Sequence, residues 1–244
     1  MRAFGLIGKP LSHSFSKKYF TQKFIEENII DCSYELFELP SIDSLSQLLA
    51  THPELKGLNV TIPYKEAVLP FLQQQSDDVK AIGACNCIRV VNGQLHGFNT
   101  DAFGFQTSLQ AHLSSRHKAA LVLGSGGASK AIKYVLQQLG INYLQVSRTK
   151  SAETITYQDL NEPLMESHTL IINTTPLGTY PAVDDAPSIP YEYLTDQHFL
   201  FDVVYNPAKT KFLVQGEQRG AQILNGKEML VHQAEESWKI CNDL

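Results

Sequence analysis

The stretch AALVLGSGGASKAIKYVLQQLGINYLQVSR, residues 119–148, decides the fold class of the second half of this chain. The apolar run AALVLG precedes a glycine-rich turn, and the segment KAIKYVLQQLG after the turn has apolar residues at helical spacing. NYLQVSR is a second apolar run of strand type. A strand, a turn, a helix and a second strand in this order predict a parallel βαβ unit.

The same alternation continues on both sides of this unit. Downstream, TLIINTT and HFLFDVVY are predicted as further strands of one parallel sheet of the dinucleotide-binding type. Upstream, AFGLIG, YELFEL and GLNVTI alternate with helical segments and predict a second, mainly parallel sheet. Asn92-Gly93 separates the short apolar runs Cys87–Val91 and Gln94–Phe98 and suits a two-residue hairpin turn. The chain is therefore predicted to be α/β, with its first unit closing near residue 100.

Two further helices are predicted outside these repeats. FGFQTSLQAHLSSRH, residues 103–117, is expected to bridge the two units, with Thr100 or Asp101 as its cap. MLVHQAEESWKICNDL, residues 229–244, is amphipathic and carries Trp238 on its apolar stripe. This last helix is expected to cover the face of a sheet.

Composition narrows the range of partners. The 244 residues carry a net charge of −5, which gives no electrostatic attraction for nucleic acid. No apolar stretch approaches the ~18 residues of a membrane span, and the apolar run at the start is too short for a signal peptide. The four cysteines form no CxxC pair and the histidines no HExxH motif, so no metal site is predicted. We expect a cytoplasmic protein that binds a small molecule, without nucleic acid or membrane partners.

GSGGAS, residues 124–129, lies directly between a predicted strand and a predicted helix. Glycines let the backbone approach a pyrophosphate, and the amides at a helix N-terminus attract the anion. The pattern predicts a dinucleotide site, although Ser129 stands where Gly or Ala is usual. A glycine-rich turn with no ligand is the alternative.

Arg148 follows the next strand, where an NAD enzyme usually has a carboxylate for the ribose 2′-hydroxyl. A guanidinium pairs with a 2′-phosphate, so the sequence favours NADP over NAD. A solvent-facing arginine is the alternative.

NVTIPYK places Lys65 at the end of a strand, and GFNTDAFG places Asp101 after another. A lysine and an aspartate in one cleft can form a proton-transfer pair, although each alone is more often a surface charge or a helix cap. In GACNCI, Asn86 interrupts an apolar run, so a ligand hydroxyl or a neighbouring backbone must satisfy its amide.

Nine short motifs, taken in chain order, resemble the shikimate dehydrogenase family: GKPLSHSFS, NVTIPYK, GACNCI, GFNTDAFG, GSGGAS, SRT, INTTPLG, DVVYNP and NGKEMLVHQ. The resemblance implies an N-terminal α/β substrate-binding and catalytic domain over residues 1–101, completed by a C-terminal helix over 227–244. It implies a Rossmann-type NADP-binding domain over 102–226, and a cleft where the two domains meet.

The resemblance also implies the reaction, which is the reversible NADPH-dependent reduction of 3-dehydroshikimate to shikimate on the route to chorismate and the aromatic amino acids. Lys65 would be the acid/base and Asp101 its orienting partner. Thr61, Asn86 and Gln233 would bind the ring hydroxyls, and Ser14, Ser16 and Tyr205 the carboxylate. Ser16 is expected to cap the following helix as well.

For the cofactor, the family pattern assigns three groups of residues. The pyrophosphate group is Gly124, Ser125, Gly126, Gly127 and Ala128, and the adenosine phosphate group is Ser147, Arg148, Thr149 and Lys150. Val203 and Gly226 match positions near the nicotinamide, and Asp77 matches one sometimes near it.

Two positions depart from the family pattern. Lys17 stands where proline is usual, and we hypothesise that Lys17 or Lys18 adds attraction for the substrate carboxylate. Residues 151–154 are Ser-Ala-Glu-Thr where a further arginine is frequent, so Lys150 is left as a point charge without the fork of arginine.

Two other functions remain open on the sequence. One is a quinate/shikimate dehydrogenase-like paralogue that uses NAD, and the other is a non-catalytic NADP-sensing protein. The expected assembly is a monomer or a homodimer.

Overall fold

The computed structural model of the protein describes residues 1–12 and 14–242. Its internal contacts divide the chain into two units. The first is Met1–Thr100 with the chain from Ala234 onward, and the second is Asp101–Gln233. Over the described residues, each unit is built on a six-stranded sheet. The predicted α/β class with mainly parallel strands is confirmed.

The first unit contains, in chain order, β1 (Arg2–Gly8), α1 (Phe15–Glu26), β2 (Cys32–Glu38), α2 (Leu45–Thr51), β3 (Leu55–Val60), α3 (Tyr64–Ala67), β4 (Gln74–Gln75), α4 (Asp77–Ile82), β5 (Cys87–Val91) and β6 (Gln94–Phe98). The strand order is β2-β1-β3-β5-β6-β4. β1 pairs in parallel with β2 and β3, whereas β5 pairs antiparallel with β3 and β6. The predicted hairpin is confirmed, since Asn92 (φ 51°) and Gly93 (φ 76°) both take the left-handed conformation that such a turn needs.

Both faces of the first sheet are buried. One face packs Ile7, Leu58 and Ile88 into a cluster with the residues of the short helices. The other packs Phe4 against Trp238 of the last helix, with the two ring centroids 5.1 Å apart. The last helix therefore covers a sheet face, because its buried indole fills the space beside β1.

The second unit contains β7 (Ala119–Leu123), α6 (Gly127–Gln138), β8 (Asn142–Ser147), β9 (Thr154–Thr156), α7 (Glu162–Ser167), β10 (Leu170–Asn173), β11 (Phe199–Asp202), α8 (Lys211–Gln218) and β12 (Gln222–Asn225). α5 (Thr100–Gln110) leads into it and α9 (Lys227–Asn242) leads out of it. The order β12-β11-β10-β7-β8-β9, with parallel pairing throughout, is that of a Rossmann fold. The order reverses between β7 and β10, where such folds bind their ligands.

The bridging helix differs from the sequence prediction. α5 begins at Thr100 instead of Phe103, and it ends at Gln110. The earlier start depends on a residue distant in the chain, because the Asn86 side-chain oxygen accepts a 2.6 Å hydrogen bond from the Thr100 amide. This contact satisfies an amide that would otherwise lack a partner at the helix start. The expectation that Thr100 or Asp101 caps a helix starting at Phe103 is therefore wrong.

The connection from β8 to β9 is short for parallel neighbours, which usually need a crossover helix. Here residues 148–153 join the two strands. β9 pairs only with Gln145, Val146 and Ser147, the last residues of β8, so the chain has to return only a small distance. None of the described helices is long and apolar enough to cross a bilayer.

Candidate active site

Lys65 lies in α3, the short helix that follows β3. The backbone of Thr61 ties this helix down, since its N–H donates to Ile7 O at 2.9 Å and its carbonyl accepts from Tyr64 N at 2.9 Å. The Tyr64 hydroxyl is anchored on Leu39 O at 2.7 Å. These contacts hold α3, and with it the backbone of Lys65, in place at the carboxyl end of β3. Ligands collect at this edge of a parallel sheet.

Asn86 is brought beside Lys65 by the backbone. Cys85 N donates to Lys65 O at 2.8 Å, and Val60 N donates to Asn86 O at 2.8 Å. Burial raises the pKa of the Cys85 thiol to about 12, and the Lys65 charge opposes that rise. The Lys65 ammonium and the start of β5 thus share one locality within the first unit.

The Asn86 amide is 2% exposed and has protein partners. Its oxygen accepts from Thr100 N, and its nitrogen donates to the Thr100 hydroxyl at 3.1 Å. A ligand hydroxyl or a neighbouring backbone was expected to satisfy this amide, and the structure shows a neighbouring backbone group, the Thr100 N–H. The pairing also fixes the start of α5, so that Asp101 follows directly.

Asp101 and Gln233 belong to the second unit. Asp101 is 8% exposed in the first turn of α5, and Gly104 lies one turn later on the same side. A Cβ at Gly104 would stand 2.5 Å from Met229 O and 3.0 Å from Gln233 Cβ. α5 and α9 can approach this closely only because residue 104 is glycine. The predicted pairing of Lys65 with Asp101 stays a prediction.

Ser14, and not Ser16, caps α1. The Ser14 hydroxyl accepts from Ser16 N at 3.2 Å, and Ser14 has the extended backbone typical of a cap. The prediction of Ser16 as the cap is wrong, because Ser16 already lies within the helix. Its side chain lies close enough to Tyr34 of β2 to oppose the rise that burial causes in the pKa of that phenol.

Lys17 also has a partner on β2. Its ammonium lies 2.6 Å from the Glu35 carboxylate, and both side chains are about half exposed. Lys17 therefore links α1 to β2 by an ion pair, a role different from the hypothesised attraction for the substrate carboxylate.

The glycine-rich turn fits a dinucleotide pyrophosphate. Gly124 has φ 105°, and a Cβ there would stand 2.8 Å from the Thr174 hydroxyl, so only glycine suits this position. Cβ atoms at Gly126 and Gly127 would meet nothing within 4 Å, which leaves open space beside the backbone. The first turn of α6 carries no acidic residue, so no carboxylate would repel the anion.

Ser129 and Gln145 hold the backbone of this turn by hydrogen bonds. The Ser129 hydroxyl donates to Gly126 O at 2.7 Å, and Gln145 Nε2 donates to Gly124 O at 2.9 Å. Gln145 Oε1 accepts from Lys133 at 2.9 Å. Serine at position 129 therefore suits the turn because its hydroxyl binds the glycine backbone.

The residues predicted for the adenosine phosphate form the loop after β8. Thr149 N donates to the Ser147 hydroxyl at 3.3 Å, which folds the loop tightly. Arg148 is exposed and close enough to Tyr157 to oppose the rise that burial causes in the pKa of that phenol. Lys150 lies 3.5 Å from Asp159, so its charge is partly compensated. Arg148 is thus the better placed cation for a phosphate.

Val203 and Gly226 are brought together at the carboxyl end of β11. Gly226 N donates to Val204 O at 3.1 Å, and a Cβ at Gly226 would stand 2.2 Å from Val203 O. Tyr205, two residues beyond Val203, is half-buried, and burial raises its pKa. These three predicted residues therefore share one end of the second sheet.

Asp202 is a buried residue that the sequence analysis did not single out. Its carboxylate accepts from Asn173 Nδ2 at 2.9 Å, from Val204 N at 3.0 Å and from the Thr210 hydroxyl at 2.5 Å. Burial raises its pKa to about 6. A polar residue that closes the apolar run HFLF was the signal available in the sequence.

Asp77 stands apart from the other residues predicted for the cofactor. It lies in the first turn of α4 in the first unit, where its fully exposed carboxylate faces Lys80 at 3.1 Å. A carboxylate at this position favours the helix by itself. Its role near the cofactor stays a prediction. Over the part of the chain that the structure describes, no cluster of His, Cys, Asp or Glu is suited to a metal ion.

Comparison with known proteins matches residues 6–88 to the model of the shikimate dehydrogenase substrate binding domain. The NADP(+) shikimate dehydrogenase of Clostridium beijerinckii is 39% identical, over 99% of this chain and 93% of that protein. A shikimate 5-dehydrogenase of Thermus thermophilus, solved with NADP(H) and shikimate, is 29% identical with a TM-score of 0.88, over 100% and 94% of the two chains. A quinate dehydrogenase of Corynebacterium glutamicum, solved with NAD, is 25% identical with the same TM-score and coverage. The chain belongs to the shikimate dehydrogenase family.

Proposed function

We propose that the protein catalyses the reversible NADPH-dependent reduction of 3-dehydroshikimate to shikimate, a step towards chorismate and the aromatic amino acids. The observation that carries the proposal is the placement of Lys65 beside Asn86 at the carboxyl end of β3, held by the Cys85 N to Lys65 O hydrogen bond. Membership of the family supplies the substrate.

Lys65 is the acid in the reduction and the base in the oxidation. NADPH, when bound, supplies a hydride to the ring carbonyl carbon, and the oxygen left behind gains negative charge. An ammonium beside that oxygen stabilises the charge and donates the proton. Asp101 orients the ammonium towards that oxygen.

The remaining polar residues bind the rest of the substrate. Thr61, Asn86 and Gln233 hydrogen-bond the ring hydroxyls, and Ser14, Ser16 and Tyr205 bind the carboxylate. A site of this kind rejects analogues that lack a hydroxyl, because its buried polar groups would be left unpaired.

NADP is held at the switch point of the second sheet. The glycine turn from Gly124 to Ala128 binds the pyrophosphate with the amides at the start of α6. Arg148, with Ser147, Thr149 and Lys150, binds the 2′-phosphate, and Val203 and Gly226 lie against the nicotinamide. The open space beside Gly126 and Gly127 supports this assignment.

We also propose a cytoplasmic location and a monomer or homodimer. The four cysteines are all free thiols, the state that a reducing compartment maintains.

A quinate-specific, NAD-dependent activity is the second candidate. It is favoured by the quinate dehydrogenase whose fold matches this chain as well as that of a shikimate dehydrogenase does. Against it stands Arg148, since NAD has no 2′-phosphate for a guanidinium to bind.

The test is a steady-state assay of reduced-cofactor formation, NADPH from NADP+ or NADH from NAD+, with shikimate and with quinate. We expect shikimate with NADP+ to give the highest kcat/KM. Lys65→Ala should lower turnover at least about 100-fold while leaving NADP+ binding intact. Lys56→Ala, which removes an exposed lysine from the same stretch of chain, is the control. Preference for quinate with NAD+ would establish the second candidate, and wild-type turnover by Lys65→Ala would overturn the catalytic role.

A further inference from the structure

Several elements of the first unit are linked through polar side chains that are wholly or partly buried. We call this set the Ser237 network. Its members are Ser16, Tyr34, Asn59, Ser237, Thr100 and Asn86. Ser237, on α9, is 2% exposed, and Tyr34 and Thr100 are 4% and 1% exposed. Water therefore competes little for these hydrogen bonds, and each lost partner leaves a buried polar group unsatisfied.

Hydrogen bonds link Tyr34 through Asn59 to Ser237, and Ser237 to Thr100. The Tyr34 hydroxyl donates to Asn59 Oδ1 at 2.9 Å, which turns Asn59 Nδ2 towards α9. Asn59 Nδ2 then donates to the Ser237 hydroxyl at 2.9 Å. The Ser237 hydroxyl also forms a 2.9 Å hydrogen bond with the Thr100 hydroxyl.

Thr100 in turn orients the Asn86 side chain through two hydrogen bonds. The Thr100 amide donates to Asn86 Oδ1 at 2.6 Å, and Asn86 Nδ2 donates to the Thr100 hydroxyl at 3.1 Å. These two contacts fix which way round the Asn86 amide lies. A carboxamide turned by 180° would set Asn86 Nδ2 against the Thr100 amide, a donor against a donor.

The other end of the network reaches α1. The Ser16 side chain lies close enough to Tyr34 to oppose the rise that burial causes in the pKa of that phenol, so the two ends of the network are residues assigned to the substrate. Ser237 stands midway between them, on the helix that closes the unit. It also contacts the Cys87 thiol, one residue beyond Asn86.

Helix stability alone does not account for a serine here. Alanine has the higher helix propensity and would remove a buried hydroxyl, so it would serve a helix packed on a sheet at least as well. The hydroxyl is useful because it accepts from Asn59 Nδ2 and also forms a hydrogen bond with the Thr100 hydroxyl.

We infer that Ser237 is a positioning residue for shikimate binding, which sets the orientation of Asn86 through Thr100 and is itself held by Asn59 and Tyr34. The inference rests on the proposed function. Its effect falls on the substrate and leaves the cofactor residues of the second sheet unaffected.

The test compares Ser237→Ala with Tyr34→Phe, which removes a hydroxyl from the other side of Asn59 while keeping the ring stacked on Phe20. For each variant we would measure KM for shikimate and for NADP+, and the Kd of shikimate alone by calorimetry.

We expect the KM and Kd of shikimate to rise about tenfold, which matches the net contribution of one hydrogen bond. KM for NADP+ should stay within about twofold, a split that general destabilisation would not produce. The double variant should lose less than the product of the single effects, because both changes break one network.

Ser108→Ala is the matched control. Ser108 is fully buried and donates to Gly104 O within α5, outside the network. The inference would be overturned if Ser237→Ala or Tyr34→Phe left the shikimate KM within twofold of the wild type, or raised the NADP+ KM equally. Should Ser237→Ala fail to fold, Tyr34→Phe carries the same test. A wild type that neither binds nor turns over shikimate would refute the proposed function itself, and this inference with it.

Discussion

Asn173 at the end of β10 donates a 2.9 Å hydrogen bond to Asp202 at the end of β11, joining the carboxyl ends of two neighbouring parallel strands. The same carboxylate holds Val204 N and the Thr210 hydroxyl. It thereby fixes both ends of the loop that carries Val203 and Tyr205. The geometry of that loop depends on one buried acid.

Asp202→Asn should change how stability depends on pH. Burial raises the pKa of Asp202 from 3.8 to about 6, so the folded state binds the proton more tightly than the unfolded state does. The stabilisation from protonated Asp202 is complete below about pH 4 and is lost as the pH rises through 6. The Asn variant, which mimics the neutral acid, should gain about 3 kcal/mol relative to the wild type between pH 4 and pH 7.

Urea unfolding of both proteins at half-unit pH steps measures this difference. Asp196→Asn, at an exposed aspartate of the same unit, should run parallel to the wild type. Parallel curves for Asp202→Asn as well would show that the carboxyl titrates alike in the folded and unfolded chains.

Gln145→Leu should weaken cofactor binding without affecting the substrate. The change removes the donor to Gly124 O and the acceptor for Lys133, and it leaves the volume of the side chain nearly unchanged. We expect KM for NADP+ to rise about five- to tenfold and the free energy of unfolding to fall by about 1–3 kcal/mol, since buried groups lose partners. Gln137→Leu, which breaks the exposed contact to the Tyr143 hydroxyl, is the control. An unchanged NADP+ KM would mean that the turn holds its shape without Gln145.

Arg148→Gln should lower the preference for NADP+ over NAD+. A guanidinium bound to a 2′-phosphate is a charge-assisted pair worth about 1.5–3 kcal/mol, so kcat/KM for NADP+ should fall about 10- to 100-fold. Turnover with NAD+ should change little. Lys150→Gln should have the smaller effect, because Asp159 already offsets the charge of Lys150 at 3.5 Å. Equal losses with both cofactors would place Arg148 away from the 2′-phosphate.

Lys17→Ala should leave substrate binding unchanged. The Lys17 ammonium is paired with Glu35, and an exposed pair of this kind contributes about 0–1 kcal/mol to stability. KM for shikimate should therefore match the wild type at low and at high salt, as it should for Lys18→Ala. A KM that rises for Lys17→Ala at low salt only would restore the hypothesis that Lys17 attracts the substrate carboxylate.

Much of the fold could be predicted from local patterns. The Asn92-Gly93 hairpin and the strand, turn and helix around Gly124 follow from backbone chemistry that acts over a few residues. The start of α5 could not be predicted in this way, because it depends on Asn86, fourteen residues earlier in the chain. β9 was missed for a similar reason, since it is a three-residue strand that pairs with the end of β8.

The candidate site divides along the same line. The motifs identified Lys65, Asn86 and the glycine turn, because these residue types are chemically required at such positions. They did not identify Asp202, Gln145 or Ser237, whose importance comes from partners distant in sequence and adjacent in space. A buried glutamine or serine has no signature of its own until its hydrogen-bond partners are known.

The sequence by itself determined the α/β class, the Rossmann character of the second sheet, the family and the residues fit for chemistry. All of these follow from the period of apolar residues and from short motifs with local mechanisms. Only the tertiary structure decided that Ser14 caps α1, that Lys17 pairs with Glu35, and that Ser237 joins Asn59 to Thr100. The last two depend on distances between separate elements, and at Ser237 burial adds energy because water cannot replace a missing partner.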